Sequence, residues 1–386
     1  MSNNPQPNST GSLPPASMHR PPAGGNSAYG CFFALSVFLN LGLVALLVLG
    51  CMGAMFSGLG ANGDSVGGGL IEKTLSGTGR DKVAIIQLDG VIMEGALSHV
   101  QKQIEQAAKD NSVKSVVLRI NSPGGSITAS DELYRRLIEL RDGNPKKKYA
   151  PKPLVVSMAS LAASGGYYVA MPGQQIFAEA STLTGSIGVY AALPNISGFA
   201  KKYEFGFNTI KAGDIKDSGS MFKEMSTEEY AVWQSMINQA YIQFTDLVVK
   251  HREQIEHKPL TKKFAYTVVK VPGLKLDREL PDTVQRNIAD GGIWTAKEAL
   301  ALKLIDFIGT QEDAADAARK LAGIAEDAKV IQYDKPKTFT EALFGVEARK
   351  PGLTLTGEKL GRMLTPRVWY LMPGADVAGL LATLDE

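Results

Sequence analysis

Thiols are nearly absent from this chain: Cys31 and Cys51 are its two cysteines, both in its first sixth. If that stretch is one helix they stand about 30 Å apart, too far for a disulfide. The rest of the chain has no thiol to oxidise, which suits an oxidising compartment. No CxxC or clustered His/Cys spacing offers a metal site, and no cofactor is expected. Histidine is scarce as well. His19 lies in a polar leader, and His99, His251 and His257 sit in or beside helical, polar surroundings. These three read as surface histidines, so a Ser-His-Asp triad has no good candidate. An excess of one charge is also missing: 41 basic against 39 acidic side chains give a net charge of +2. That balance removes the electrostatic lure for nucleic acid. The run Lys146 to Lys148, between Asn144-Pro145 and Pro151, reads as a solvated loop. No internal repeat is evident.

What is present begins with a polar leader. Residues 1–30 are rich in Pro, Ser, Asn and Gly and cannot bury enough apolar surface to offset their ordering entropy, so disorder is expected. Residues 31–56 carry no charge and are long enough to span a bilayer as one tilted helix. The run begins too late and is too long for a cleaved signal peptide, although Val48-Leu49-Gly50-Cys51 also resembles a lipid-attachment box. Arg20 and His19 precede the span, which favours a cytoplasmic N-terminus with the bulk of the chain outside. Residues 57–80, rich in Gly and Ser, then read as a flexible tether.

From residue 81 to 333 strands and helices alternate. Val83–Leu88, Val116–Ile120, Leu154–Met158, Gln175–Ala178 and Ile187–Tyr190 read as strands; Leu97–Ala108, Ser126–Arg141 and Thr227–Glu253 read as helices. The recurrence implies an α/β domain with a parallel sheet and crossover helices. Residues 258–281 look like an insertion. Residues 334–386, punctuated by Pro and Gly, form a C-terminal extension without an assigned role.

Chemistry centres on Ala162-Ala163-Ser164-Gly165-Gly166, which follows a buried strand and opens a short helix. A serine at such a corner lies near fixed backbone donors and can serve as a nucleophile or, less specifically, as an N-cap. Asn121-Ser122-Pro123-Gly124-Gly125 ends the preceding strand, and parallel strands deliver such loops to one sheet edge. With no suitable histidine, a lysine is the alternative base, provided desolvation lowers its pKa.

Three segments, Leu118–Ser130, Met158–Ala170 and Thr182–Val189, together resemble signal peptide peptidase A, a family of Ser-Lys serine proteases. The resemblance runs roughly from Val83 to Gly323 and implies a Clp protease/crotonase-like fold of repeated β-β-α units. It implies Ser164 as nucleophile and, as general base, Lys216 in the loop Lys211–Asp217, with Lys211 the nearby competitor. It further implies that Ser186 holds the lysine amine and that Gly125 and Gly165 supply oxyanion N–H groups. Its partners would be peptide substrates such as signal-peptide remnants, paired with a strand edge near Thr182–Val189, and a membrane. It also implies a homo-oligomeric ring in which serine and lysine can come from neighbouring subunits, and a single-pass place in the inner membrane with the catalytic domain periplasmic. Two departures stand out: Gly292 where arginine is usual, and Ala296 where glycine is usual. Two rival readings keep the fold and drop the protease: a non-catalytic membrane scaffold, and a crotonase-like acyl-CoA enzyme.

Overall fold

The computed structural model describes residues 70–256, 258–270, 278–334 and 368–372. The expectations for residues 1–30 and 31–56, most of the tether, and His257 lie outside them. Among the described residues no helix is long and apolar enough to cross a membrane.

In chain order the strands are β1 (Ile71–Ser76), β2 (Lys82–Asp89), β3 (Val113–Ser122), β4 (Gly124–Ser126), β5 (Leu154–Ala163), β6 (Gln175–Ala178) and β7 (Leu183–Gly185). They continue with β8 (Tyr190–Ala191), β9 (Phe264–Thr267), β10 (Thr283–Arg286), β11 (Ile293–Thr295), β12 (Phe307–Ile308), β13 (Lys329–Asp334) and β14 (Val368–Leu371). The helices are α1 (Ser98–Lys109), α2 (Ile127–Asp142), α3 (Gly165–Ala170), α4 (Ser197–Lys202), α5 (Thr227–His251), α6 (Ala296–Ala301) and α7 (Gln311–Ala322).

The main sheet runs β1-β13-β2-β3-β5-β6-β12, with β7 branching from the far end of β5 and β11 beyond it. Its centre is parallel, as expected; β1 and β11 pair antiparallel at its margins. Both faces are covered, which is why the central strands read as unbroken apolar runs. Ala84, Ile86, Val116, Leu118 and Val156 face one side, with α1, α2 and α5 against them. Val83, Ile85, Val117 and Val155 face the other, against Ala314, Ala315 and Ala318 of α7. Ser126 caps α2 by accepting from the Ala129 N–H, and Ser226 with Glu229 forms a capping box on α5.

Three sequence expectations are revised. The last part of the presumed tether is a strand, β1, paired with β13. Residues 186–189 are not a strand: Ser186 turns out of β7 with φ 52°, and pairing resumes only at β8. Helix α5 stops at His251 because Arg252 leaves helical geometry to bond Lys303 O and both Asp306 carboxylate oxygens. The insertion, in its described part, contributes β9 of a hairpin with β10, whose Phe264 and Tyr266 rings pack on Trp294.

His251 is half-buried rather than on the surface, its ring nitrogen 3.0 Å from Tyr134 Oη. Burial, with Arg141 and Lys250 nearby, lowers its pKa to about 4, so the fold keeps the ring neutral where an unfolded chain would protonate it. Stability from this residue is full above pH ~6.5 and is lost as pH falls toward 4. We expect the melting temperature to decline over that window, and His251→Gln to flatten the decline in a pH series of thermal melts.

Candidate active site

Three parallel strands end side by side and deliver three loops to one edge. β3 leads through Pro123 into Gly124-Gly125, β5 leads into Ser164, and β7 leads into Ser186. Ala163 pairs with Gly185 in register, so Ser164 and Ser186 are the next residues on adjacent strands, and Ser164 N donates to Gly185 O at 2.8 Å. Both serines have positive φ, 54° and 52°.

Ser164 is wholly buried and its hydroxyl has no hydrogen-bond partner. A strained backbone costs about 1–3 kcal/mol and an unsatisfied buried hydroxyl a similar amount. Backbone strain and orphaned buried hydroxyls of this kind cluster at functional sites. The N-cap alternative fails, since the side chain makes no capping bond. Ser164→Gly relieves both terms, and we expect it to raise the melting temperature by about 2–6 °C. Scanning calorimetry of the purified variant checks this.

The two glycines proposed for the oxyanion are brought together. A Cβ on Gly165 would stand 3.0 Å from Gly125 N and 2.6 Å from Ser130 Oγ, so only glycine lets these backbones approach. The Gly165 N–H lies in the first turn of α3, where no intrahelical acceptor reaches it. Ser186 is 1% exposed; its hydroxyl donates to Gly291 O at 2.9 Å, and its N–H donates to Gly292 O at 2.9 Å. With the proton so directed, its lone pairs are open to an N–H donor. A cleft of about 1080 Å³ opens beside Ser186 between α5, Tyr190 and the loop 287–292.

No hydrogen bond joins Lys216 to Ser164 or Ser186 within one chain. The lysine is exposed, and its amine bonds to no described residue. Lys211 is committed instead, bonding Asp214 O and the Asp217 carboxylate, each at 2.6 Å. Asp217 also accepts from Lys223, which pairs with Glu229 of α5. Hydrogen bonds from Lys211, then Lys223, hold the Asp217 carboxyl at a pKa of about 2. Ion pairs thus fix the loop, on a loop path rather than a strand, and leave Lys216 as its uncommitted amine.

The sequence reading missed β14. It lies antiparallel between β4 and β8, with Tyr370 opposite Gly125 and Leu371 opposite Gly124. Tyr370 is buried, stacks on Tyr168 at 5.3 Å, packs on Phe244, and bonds Ala240 O at 3.0 Å. A short aromatic run, Val368-Trp369-Tyr370-Leu371 between Pro366 and Pro373, was the available signal.

Comparison with known proteins shows the family. The Clp protease family matches residues 79–182, and peptidase family S49 matches residues 146–270 and 272–325. A protein of Methanocaldococcus jannaschii named as a protease is 36% identical over 63% of this chain and 66% of its own length. One of Enterococcus faecium named signal peptide peptidase SppA is 30% identical over 79% of this chain and 85% of its own. The chloroplastic serine protease SPPA of Arabidopsis thaliana is 30% identical over 72% of this chain, which spans 38% of it. With the buried, strained serine at the end of β5, these matches make the chain a serine-type peptidase belonging to family S49, that of signal peptide peptidase A.

Proposed function

We propose that this chain is a membrane-anchored endopeptidase that cuts extended apolar peptides, signal-peptide remnants among them, with a Ser164–Lys216 dyad completed between neighbouring copies. The observation that carries the reading is β14: a stretch of extended chain lies between Gly124–Ser126 and Tyr190–Ala191, beside Ser164, as a peptide substrate would. Pairing through the backbone accepts many sequences, while the aromatic pocket around Tyr168 and Phe244 favours a large apolar side chain.

In the reaction, the neutral amine of Lys216 takes the Ser164 proton as the oxygen attacks a peptide carbonyl. The Gly125 and Gly165 N–H groups stabilise the oxyanion, and Ser186 accepts an N–H of the lysine to aim its lone pair. The lysine ammonium then returns the proton to the leaving amine, and water, deprotonated by the same lysine, releases the acyl group. Proton removal requires an amine stripped of water, and the exposed position of Lys216 in one chain supports a cover supplied by a second copy. Phe199, Tyr203, Phe205, Phe207 and Ile210 are each more than half exposed in the same region, an apolar surface suited to that contact. Residues 31–56 would anchor the ring in the inner membrane, N-terminus cytoplasmic and catalytic domain on the periplasmic side, so enzyme and substrate share one surface.

A fluorophosphonate probe tests the chemistry: it is expected to label the wild type at Ser164, with mass spectrometry placing the adduct. Labelling of Ser164→Ala to the same extent, or no labelling of a folded wild type, would sink the reading.

A further inference from the structure

Hairpin β9–β10 ends at Arg286, and its guanidinium occupies the space beside Gly292. A Cβ on Gly292 would stand 2.4 Å from Arg286 Nη2, so no other residue fits there without moving the arginine. Arg286 forks onto the Asp290 carboxylate at 2.8 and 3.0 Å and reaches Ile293 O at 3.4 Å. Its flat face lies 3.5 Å from the Trp294 ring centre. The pair is largely shielded, with side chains 17% and 25% exposed.

Each of these contacts leads to Ser186. Asp290 accepts from Gly292 N at 2.9 Å, bending the loop so that Gly291 O and Gly292 O face Ser186. Trp294 pairs across to Thr184, and its ring abuts Gly185, where a Cβ would meet it at 2.5 Å. The residue before Ser186 and both carbonyls that Ser186 bonds are therefore held by groups that Arg286 clamps. Stability alone does not require a bidentate ion pair, a stacked indole and two loop carbonyls, one on its hydroxyl and one on its N–H, to converge on one serine.

We propose that Arg286 is a positioning residue for Ser186: through Asp290 and Trp294 it fixes the Gly291 carbonyl that takes the Ser186 hydroxyl proton and the Gly292 carbonyl that holds its backbone N–H, so that the hydroxyl's lone pairs face the lysine amine. The inference rests on the dyad reading above, in which Ser186 steadies that amine. It gives the 258–281 insertion a part in catalysis, since its described end builds the hairpin that delivers the arginine.

The test is a double-mutant cycle in the full-length protein, with kcat and KM measured on an apolar peptide. Arg286→Ala is expected to lower kcat about tenfold and leave KM within about twofold, because positioning acts in the transition state. In a Ser186→Ala background the same change is expected to cost little more, since the group it serves is gone. Arg286→Lys, which keeps the charge but loses the fork, should fall between. Should Arg286→Ala fold poorly, Gly292→Ala displaces the guanidinium while retaining it, and is expected to reproduce the kcat loss. Full additivity of the two losses, or a lowered melting temperature with unchanged kcat, overturns the inference. An impaired Ser186→Ala beside a fully active Arg286→Ala also overturns it and leaves the dyad reading intact. A fully active Ser186→Ala overturns both.

Discussion

Ser164→Ala and Lys216→Ala should each lose about 10⁴-fold or more in kcat/KM, yet subunits of the two variants assembled together should recover about a quarter of the wild-type activity. The first half follows from the chemistry: without the oxygen there is no acyl-enzyme, and without the amine nothing takes its proton at neutral pH. Lys216→Arg should not rescue, because a guanidinium keeps its proton. The second half follows from the geometry. Ser164 Oγ is buried without a partner, and Lys216 is exposed on a loop fastened by Lys211, Asp217, Lys223 and Glu229. In the proposed dyad the amine is therefore supplied by another copy, with the tied loop holding it outward in its own chain. When serine comes from one subunit and lysine from the next, random mixing pairs an intact serine with an intact lysine in about one interface in four. A dyad within one chain would recover nothing. Mixed oligomers, verified by distinct affinity tags and found inactive, would refute the shared site.

Much of this site was legible in the chain because its parts are local. Apolar runs ending in Pro-Gly-Gly or in small residues announce buried parallel strands and the loops they deliver, and the described strands follow that pattern at β2, β3 and β5. Position after such a strand leaves Ser164 open between nucleophile and N-cap, and the resemblance selects it as nucleophile; the structure adds its strain and its unpartnered hydroxyl. Residue type alone does not separate Lys216 from Lys211; the resemblance picks Lys216, the lysine followed by an aspartate, Asp217. The structure adds a physical difference: Lys211 is committed to Asp217. The contacts that close the site were the hardest to read. Arg286 reaches Gly292 from a hairpin, and Tyr370 reaches Gly125 from the far end of the chain. Neither leaves a periodic trace, because what fixes each is a tertiary fit rather than a repeat.

The position of Tyr370 sets the other large effect: ending the chain before Val368, or replacing Tyr370 by alanine, should raise kcat/KM on a short peptide about tenfold or more. β14 takes the backbone groups of β4 and β8 with which the proposed peptide substrate would pair. Being covalently attached, it competes at an effective concentration in the millimolar range. Burying a tyrosine of this kind contributes about 2–3 kcal/mol, so its loss weakens the resident strand by roughly 30-fold to 150-fold. The gain in rate is then limited by how fully the groove was occupied at the start. Since Tyr168 and Phe244 lose their packing partner, the melting temperature should fall by a few degrees even as turnover rises. A synthetic peptide of sequence Val-Trp-Tyr-Leu-Met should inhibit the shortened chain and have little effect on the intact one. Equal turnover by intact and shortened chains at every peptide concentration would mean that the strand does not guard the groove. Substrate would then have to enter by pairing elsewhere, and the reading of β4 and β8 as the substrate's two neighbours would fall with it.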